Sequence, residues 1–158
     1  HPLVRFFIRL GQIANTPTRD DSEISLESAL VPGQAATKEV LDDLSRRMRL
    51  AGVINRLFSE SNEVDFDGAR LSKAACLAGK LFIDALPVGT RLPKVASDGE
   101  GGLIFAWISP GRSALLTLDG AALHFVDHAG TPQAEYFDSL PFARHVIPQE
   151  IANAVTGF

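Results

Sequence analysis

Cysteine is almost missing from this chain. Cys76 is the only one in 158 residues, so no internal disulfide can form. That fits a reducing compartment and a cytoplasmic protein. Cys76 sits in the apolar helical run Ala74-Ala75-Cys76-Leu77-Ala78. It has no neighbouring base or cationic setting of the kind that activates a thiolate, and it reads as a small buried side chain. Long apolar runs are missing too. None approaches the roughly 20 residues needed to span a bilayer. Nor is there a surplus of positive charge: Lys and Arg number 15 against 19 Asp and Glu, for a net charge of −4. The chain through Lys80 is neutral, and the acidic excess lies beyond it. A general nucleic-acid binder needs cations to displace counterions, so nucleic acid ranks last among partners. No Gly-x-Gly-x-x-Gly or Gly-Lys-Ser/Thr loop occurs. The glycine-rich Ser97-Asp98-Gly99-Glu100-Gly101-Gly102 has two acids that would repel phosphate and reads as a turn between strands.

Against these absences stand ample apolar residues, 46% of the chain, enough for one good core. The stretch Leu103 to Tyr136 is the clearest. Asp119-Gly120 suits a two-residue hairpin with positive φ at both central positions. It brings Leu118 opposite Ala121, Leu116 opposite Leu123 and Ala114 opposite Phe125. Pro110-Gly111 is a second turn signal. It sets Trp107 opposite Ala114, Phe105 opposite Leu116 and Leu103 opposite Leu118, all on the same face. Folding at Ala129-Gly130 adds Ala134 and Tyr136 to that face and brings Glu135 opposite His124 on the other. Pro93 to Ala96 can add an edge strand, the position a proline tolerates. The expected architecture is α+β: an antiparallel four- to five-stranded meander packed on one face by helices.

Helices are expected over Thr37–Ser59, Asp65–Leu86 and Pro148–Val155. The first has a heptad-like seam, Leu41, Leu44, Met48, Ala51, Asn55 and Phe58, which should face the core. The second has a small-residue face, including Ala69, Ala74, Ala75 and Ala78, and ends at Pro87. Residues 1–36 read as an N-terminal arm or linker and 37–158 as one domain. Within the arm, Leu3–Leu10 is apolar with Arg5 and Arg9 interspersed. It is too short and too charged for the core of a secretory signal and reads as a short strand or helix docking on the body. Asn15–Ala36 is rich in Thr, Ser, Asp, Pro and Gly.

Chemistry-bearing residues are few. His124, Asp127 and His128 crowd together in sequence, but residues four apart on a strand lie about 13 Å apart, so one metal cannot take all three. No metal and no cofactor are expected. His124 opposite Glu135, with His145 as a distant candidate, is the only acid–base pairing in sight. It supports an alternative reading as a small ligand-binding or hydrolytic domain. Arg46, Arg49 and Arg56 share one side of the first helix. Asp42 precedes Arg46 by four and Glu60 follows Arg56 by four, which is the pattern of a salt-bridged solvated face. They are candidate polar contacts for a partner. Leu50, Val53, Ile54 and Leu57 form a second apolar stripe on the same helix. A surface helix keeps one such stripe, so the second needs a covering from the N-terminal segment Leu3–Ile13, a second copy or a different protein, and these four are candidate protein-binding residues, directly or once the arm moves away.

The segments Phe82-Ile83-Asp84-Ala85-Leu86-Pro87, Leu92-Pro93-Lys94-Val95 and Asp98-Gly99-Glu100-Gly101-Gly102-Leu103-Ile104-Phe105-Ala106-Trp107 resemble a pattern in small uncharacterised bacterial proteins. There a helix ends in Leu-Pro, a Pro-x-Val strand follows, and an Asp-Gly-Glu turn leads to a strand ending in Trp. The likeness covers about residues 70–140 and departs at Gly101-Gly102, where an apolar residue usually follows Glu. It implies a helix-plus-meander module in a bacterial or mobile-element setting, and no activity. The sequence reading is thus a non-enzymatic protein-binding module, antitoxin-like, an inhibitor or an accessory subunit. Its expected partner is another protein or a second copy of itself.

Overall fold

A computed structural model describes residues 35–119 and 121–158. The expectations for residues 1–34, Leu3–Leu10 included, lie outside the described residues. Among the described residues, three α-helices, α1 (Ala35–Ser61), α2 (Lys73–Ala85) and α3 (Gln149–Val155), accompany five strands. These are β1 (Lys94–Ser97), β2 (Leu103–Ser109), β3 (Arg112–Asp119), β4 (Ala122–Asp127) and β5 (Glu135–Pro141). The strands form one antiparallel sheet in sequence order, the meander expected of the turn signals.

The Pro110-Gly111 register holds: Trp107 pairs with Ala114 and Phe105 with Leu116. Gly111 supplies the positive φ, at +77°. The β3–β4 register lies two residues further along than the Asp119-Gly120 turn predicts, with Leu116 opposite Phe125 and Leu118 opposite Leu123. A shift of two keeps every side chain on its face, so the pattern survives the error. The β4–β5 register does not survive. Val126 pairs with Tyr136 and Asp127 with Glu135, because residues 128–134 make a wider connection. The odd shift turns Tyr136 outward, and Phe137 takes its place against Phe125, ring centroids 6.1 Å apart. It also separates Glu135 from His124.

The helices close one face of the sheet. Leu103, Phe105, Trp107, Ala114, Leu116, Leu123 and Phe125 from the strands meet Ile54 from α1 and Phe82 and Ile83 from α2. Ile151 and Val155 of α3 complete that core. Phe82 is its hub, with ring centroids 5.0 Å from Phe105, 6.3 Å from Trp107 and 6.0 Å from Phe142. Gly79 is where α2 comes closest to the sheet: a Cβ there would lie 2.7 Å from Leu103 Cδ1. α2 starts later than the small-residue pattern suggests. Ser72 caps it by accepting from the Ala75 amide at 3.0 Å, and Gly68 at φ +129° belongs to the preceding loop.

The seam expected on α1 meets the core only at its end, where Phe58 packs against it; its first half faces away. Leu44 and Met48 are 51% and 66% exposed, with Val40 beside them at 56%. The buried row is instead Asp43, Arg47, Ile54 and Ser61, with Leu50 and Leu57 packed against the core between them. The reason is ionic. Arg47 Nε donates to Asp43 Oδ2 at 2.6 Å. Its two terminal nitrogens donate to the carbonyls of Ile83 (2.5 Å), Asp84 (3.2 Å), Leu86 (2.8 Å) and Pro87 (3.1 Å). The last carbonyls of a helix are short of intrahelical donors, and one guanidinium supplies several at and just beyond the end of α2, alongside the Leu86 amide on Ile83 and Thr90 on Pro87. A buried charge pair with all its hydrogen bonds made is tolerated inside, so two charged residues sit on the inward row of α1.

Candidate interaction surface

The flank of α1 beside that row forms one wall of a cleft of about 890 Å³. Arg46 and Arg49 project from the helix, and Arg91 joins them from the loop that leads into β1. The floor is apolar: Leu50 and Val53 from α1, Leu92 and Pro93 from the loop, and Phe158 from the end of the chain. No Asp or Glu side chain lines it among the described residues.

The opposing loop is held in place on both sides. Thr90 Oγ1 donates to the Pro87 carbonyl at 2.7 Å. The Gly89 amide donates to Asp43 Oδ1 at 3.4 Å, and Gly89 sits at φ +82°, which suits a residue without Cβ. The buried Trp107 donates from Nε1 to the Arg91 carbonyl at 2.9 Å, and Arg91 donates to Ser109 Oγ at 2.9 Å. A cleft wall fixed by its own hydrogen bonds loses little freedom when a ligand arrives.

Charge in the cleft follows from the same network. Burial alone would push the Asp43 carboxyl up. The Arg47 guanidinium and the Gly89 amide outweigh it, helped by the charges of Arg47 and Arg46, and hold Asp43 below the usual carboxylate range. Asp43 is thus an anion already committed to Arg47. Arg46 lies only 3.8 Å from it, and no described acid pairs with Arg49. Arg56, further along, approaches Glu60 at 3.8 Å and does not line the cleft.

Of the seven residues singled out on α1, the structure therefore brings four together: Arg46, Arg49, Leu50 and Val53. Ile54 is fully buried, and Leu57 is half-buried against the core; neither lines the cleft. Arg47, Asp43 and Arg91 were missed. The signal for the first two was their spacing, since 43, 47, 50, 54, 57 and 61 repeat as regularly as the seam chosen. Arg91 gave no signal.

The other candidates are dispersed. His124 Nδ1 accepts from the Ser139 amide at 3.3 Å and lies 3.6 Å from Asp138, at an irregularity where Ser139 adopts φ +56°. Glu135 lies opposite Asp127, and His145 is in a short 3-10 turn, its ring stacked edge-on against Phe142 at 5.6 Å. Asp127 is bound to Arg112 at 2.8 Å, and Arg112 also donates to the Ala154 carbonyl and covers the Phe158 ring at 4.3 Å. This pair anchors α3. Burial would raise Asp127, but Arg112 and the His128 amide lower it on balance. Burial raises the Cys76 thiol despite nearby Lys80. Among the described residues no three His, Cys, Asp or Glu converge as metal ligands, and no helix is long and apolar enough to cross a membrane. No family model, curated protein or solved structure matches the chain.

Proposed function

We propose that the protein is a non-enzymatic binding module, antitoxin-like, an inhibitor or an accessory subunit, that takes an acidic segment of another protein into the cleft beside α1. One observation carries this: three arginines and five apolar residues line one cleft with no Asp or Glu side chain among them, in a chain whose net charge is −4. Arginine forks match carboxylates in bidentate geometry and rank among the residues that dominate interfaces. Leu50, Val53 and Phe158 offer apolar area for a Leu or Phe flanking the acid. Arg46 is half exposed, which suits the rim of a protein interface better than an enclosed substrate pocket.

Selection from a displayed random-peptide library tests the reading. Enriched peptides should carry Asp or Glu next to Leu or Phe. Their affinity should fall by roughly tenfold or more, about 1.4 kcal/mol or more, in the double variant Arg46→Glu with Arg49→Glu. Lys73→Glu, on α2, should leave it unchanged. Equal affinity for wild type and double variant would remove the cleft from consideration.

A further inference from the structure

The three arginines of the cleft are not held alike. Arg46 is half exposed, and its Nη2 lies 3.8 Å from Asp43, a carboxylate already bound by Arg47 at 2.6 Å. Arg49 is exposed, and no described acid pairs with it. Arg91 is exposed too, but it is fixed at both ends. Its carbonyl accepts from Trp107 Nε1 at 2.9 Å, and its Nη1 donates to Ser109 Oγ at 2.9 Å. The sheet sets up both contacts. β1 and β2 pair Val95 with Phe105 and Lys94 with Ala106. The same register, carried back into the loop before β1, puts Pro93 level with Trp107 and Arg91 level with Ser109.

We infer that Arg91 is the residue that reads the partner's carboxylate in this cleft, that Ser109 positions it, and that Arg46 and Arg49 contribute charge alone. This rests on the acidic-segment reading above. A long side chain loses rotamer freedom when it pairs, and one that is held beforehand loses less. With Nη1 engaged by Ser109, Nε and Nη2 make up the remaining edge of the guanidinium, and no described residue accepts from them. Two parallel N–H donors on one edge match the two oxygens of a carboxylate, and a lysine has no such edge. Leu92 and Pro93, next in the chain, belong to the apolar floor. An Asp or Glu side chain and its apolar neighbour therefore find adjacent partners. Arg46 and Arg49 lack such a tether, and the attraction they supply is the kind that salt screens.

Titration calorimetry on the full chain tests the assignment. The probe is an acidic peptide from the selection above, N-acetylated and C-amidated so that its only carboxylates are side chains. Arg91→Lys keeps the charge and the backbone carbonyl that Trp107 binds, so Trp107 emission should not move. Its affinity should nevertheless fall about tenfold, because the fork is lost. Arg46→Lys and Arg49→Lys should stay within about twofold of wild type, since the charge is kept. Ser109→Ala should weaken binding about threefold, Ser109→Thr should restore it, and Ser109→Ala should cost nothing further in the Arg91→Lys background. Suppose Arg91→Lys binds like wild type while Arg46→Glu with Arg49→Glu still weakens binding. The cleft then stands and the inference is overturned. Equal losses in Arg91→Lys and Arg49→Lys overturn it as well, as does a Ser109→Ala loss that persists in Arg91→Lys. A wild-type chain that binds no acidic peptide removes the cleft reading and this inference together.

Discussion

Removing the Arg47 guanidinium would take the closest ionic partner from the buried Asp43 carboxylate and a donor from four carbonyls at and just beyond the end of α2 at once. Truncating one member of a buried, fully bonded pair costs about 3–5 kcal/mol. Arg47→Ala should lose that much in urea unfolding, far more than Arg56→Ala, whose ion pair is exposed. Acid should act on the same pair. Asp43 and Asp127 are held below the ordinary carboxylate range when folded, so their stabilisation is complete above about pH 4 and is lost as pH falls through their lower folded values. The urea midpoint should drop on acidification below about pH 4, and Asp43→Asn should flatten that drop. Trp107 is 1% exposed, with its indole N–H bonded to Arg91. Its emission should lie well to the blue of free tryptophan and resist iodide, and Trp107→Ala should cost about 3–5 kcal/mol. Emission like that of free tryptophan would contradict the register of β2.

Register and helix face show how far sequence reasoning reaches at the level of elements. Pro110-Gly111 predicts its register correctly because a two-residue loop leaves no freedom of pairing. Asp119-Gly120 predicts a register two residues short, without consequence for the face, since strand side chains alternate with period two. Ala129-Gly130 failed because residues 128–134 form a longer connection, and an odd shift reverses the face of β5. On α1 two rows repeat with the same spacing. Counting only apolar residues selects the row that contains Leu44 and Met48. The correct row holds Asp43 and Arg47, charges that look external until their hydrogen bonds to α2 are known. Leu44→Glu with Met48→Glu should therefore change stability by no more than about 0.5 kcal/mol, as surface substitutions do. A loss above about 2 kcal/mol, measured by urea unfolding, would return those side chains to the core.

For the molecule as a whole, the α+β meander with helices over one face was legible, because the turns at Pro110-Gly111 and Asp119-Gly120 and the inward residues of β2, β3 and β4 agree. The cleft was half legible. Its α1 wall could be read from Arg46, Arg49, Leu50 and Val53, which share a short stretch of one helix. The facing wall could not: Arg91 and Pro93 come from a loop far along the chain, brought there by the antiparallel packing of α1 and α2 and pinned by Trp107. Such juxtapositions depend on tertiary contacts that no local pattern encodes. The central claim is that this cleft receives an acidic, apolar-flanked peptide. Titrating such a peptide into the isotope-labelled full chain and following amide chemical shifts tests it most directly. The account predicts that the shifts concentrate on Arg46, Arg49, Val53, Thr90, Arg91 and Leu92 and weaken with added salt. Shifts confined to His124 and Ser139, or to Val40, Leu44 and Met48, would contradict it.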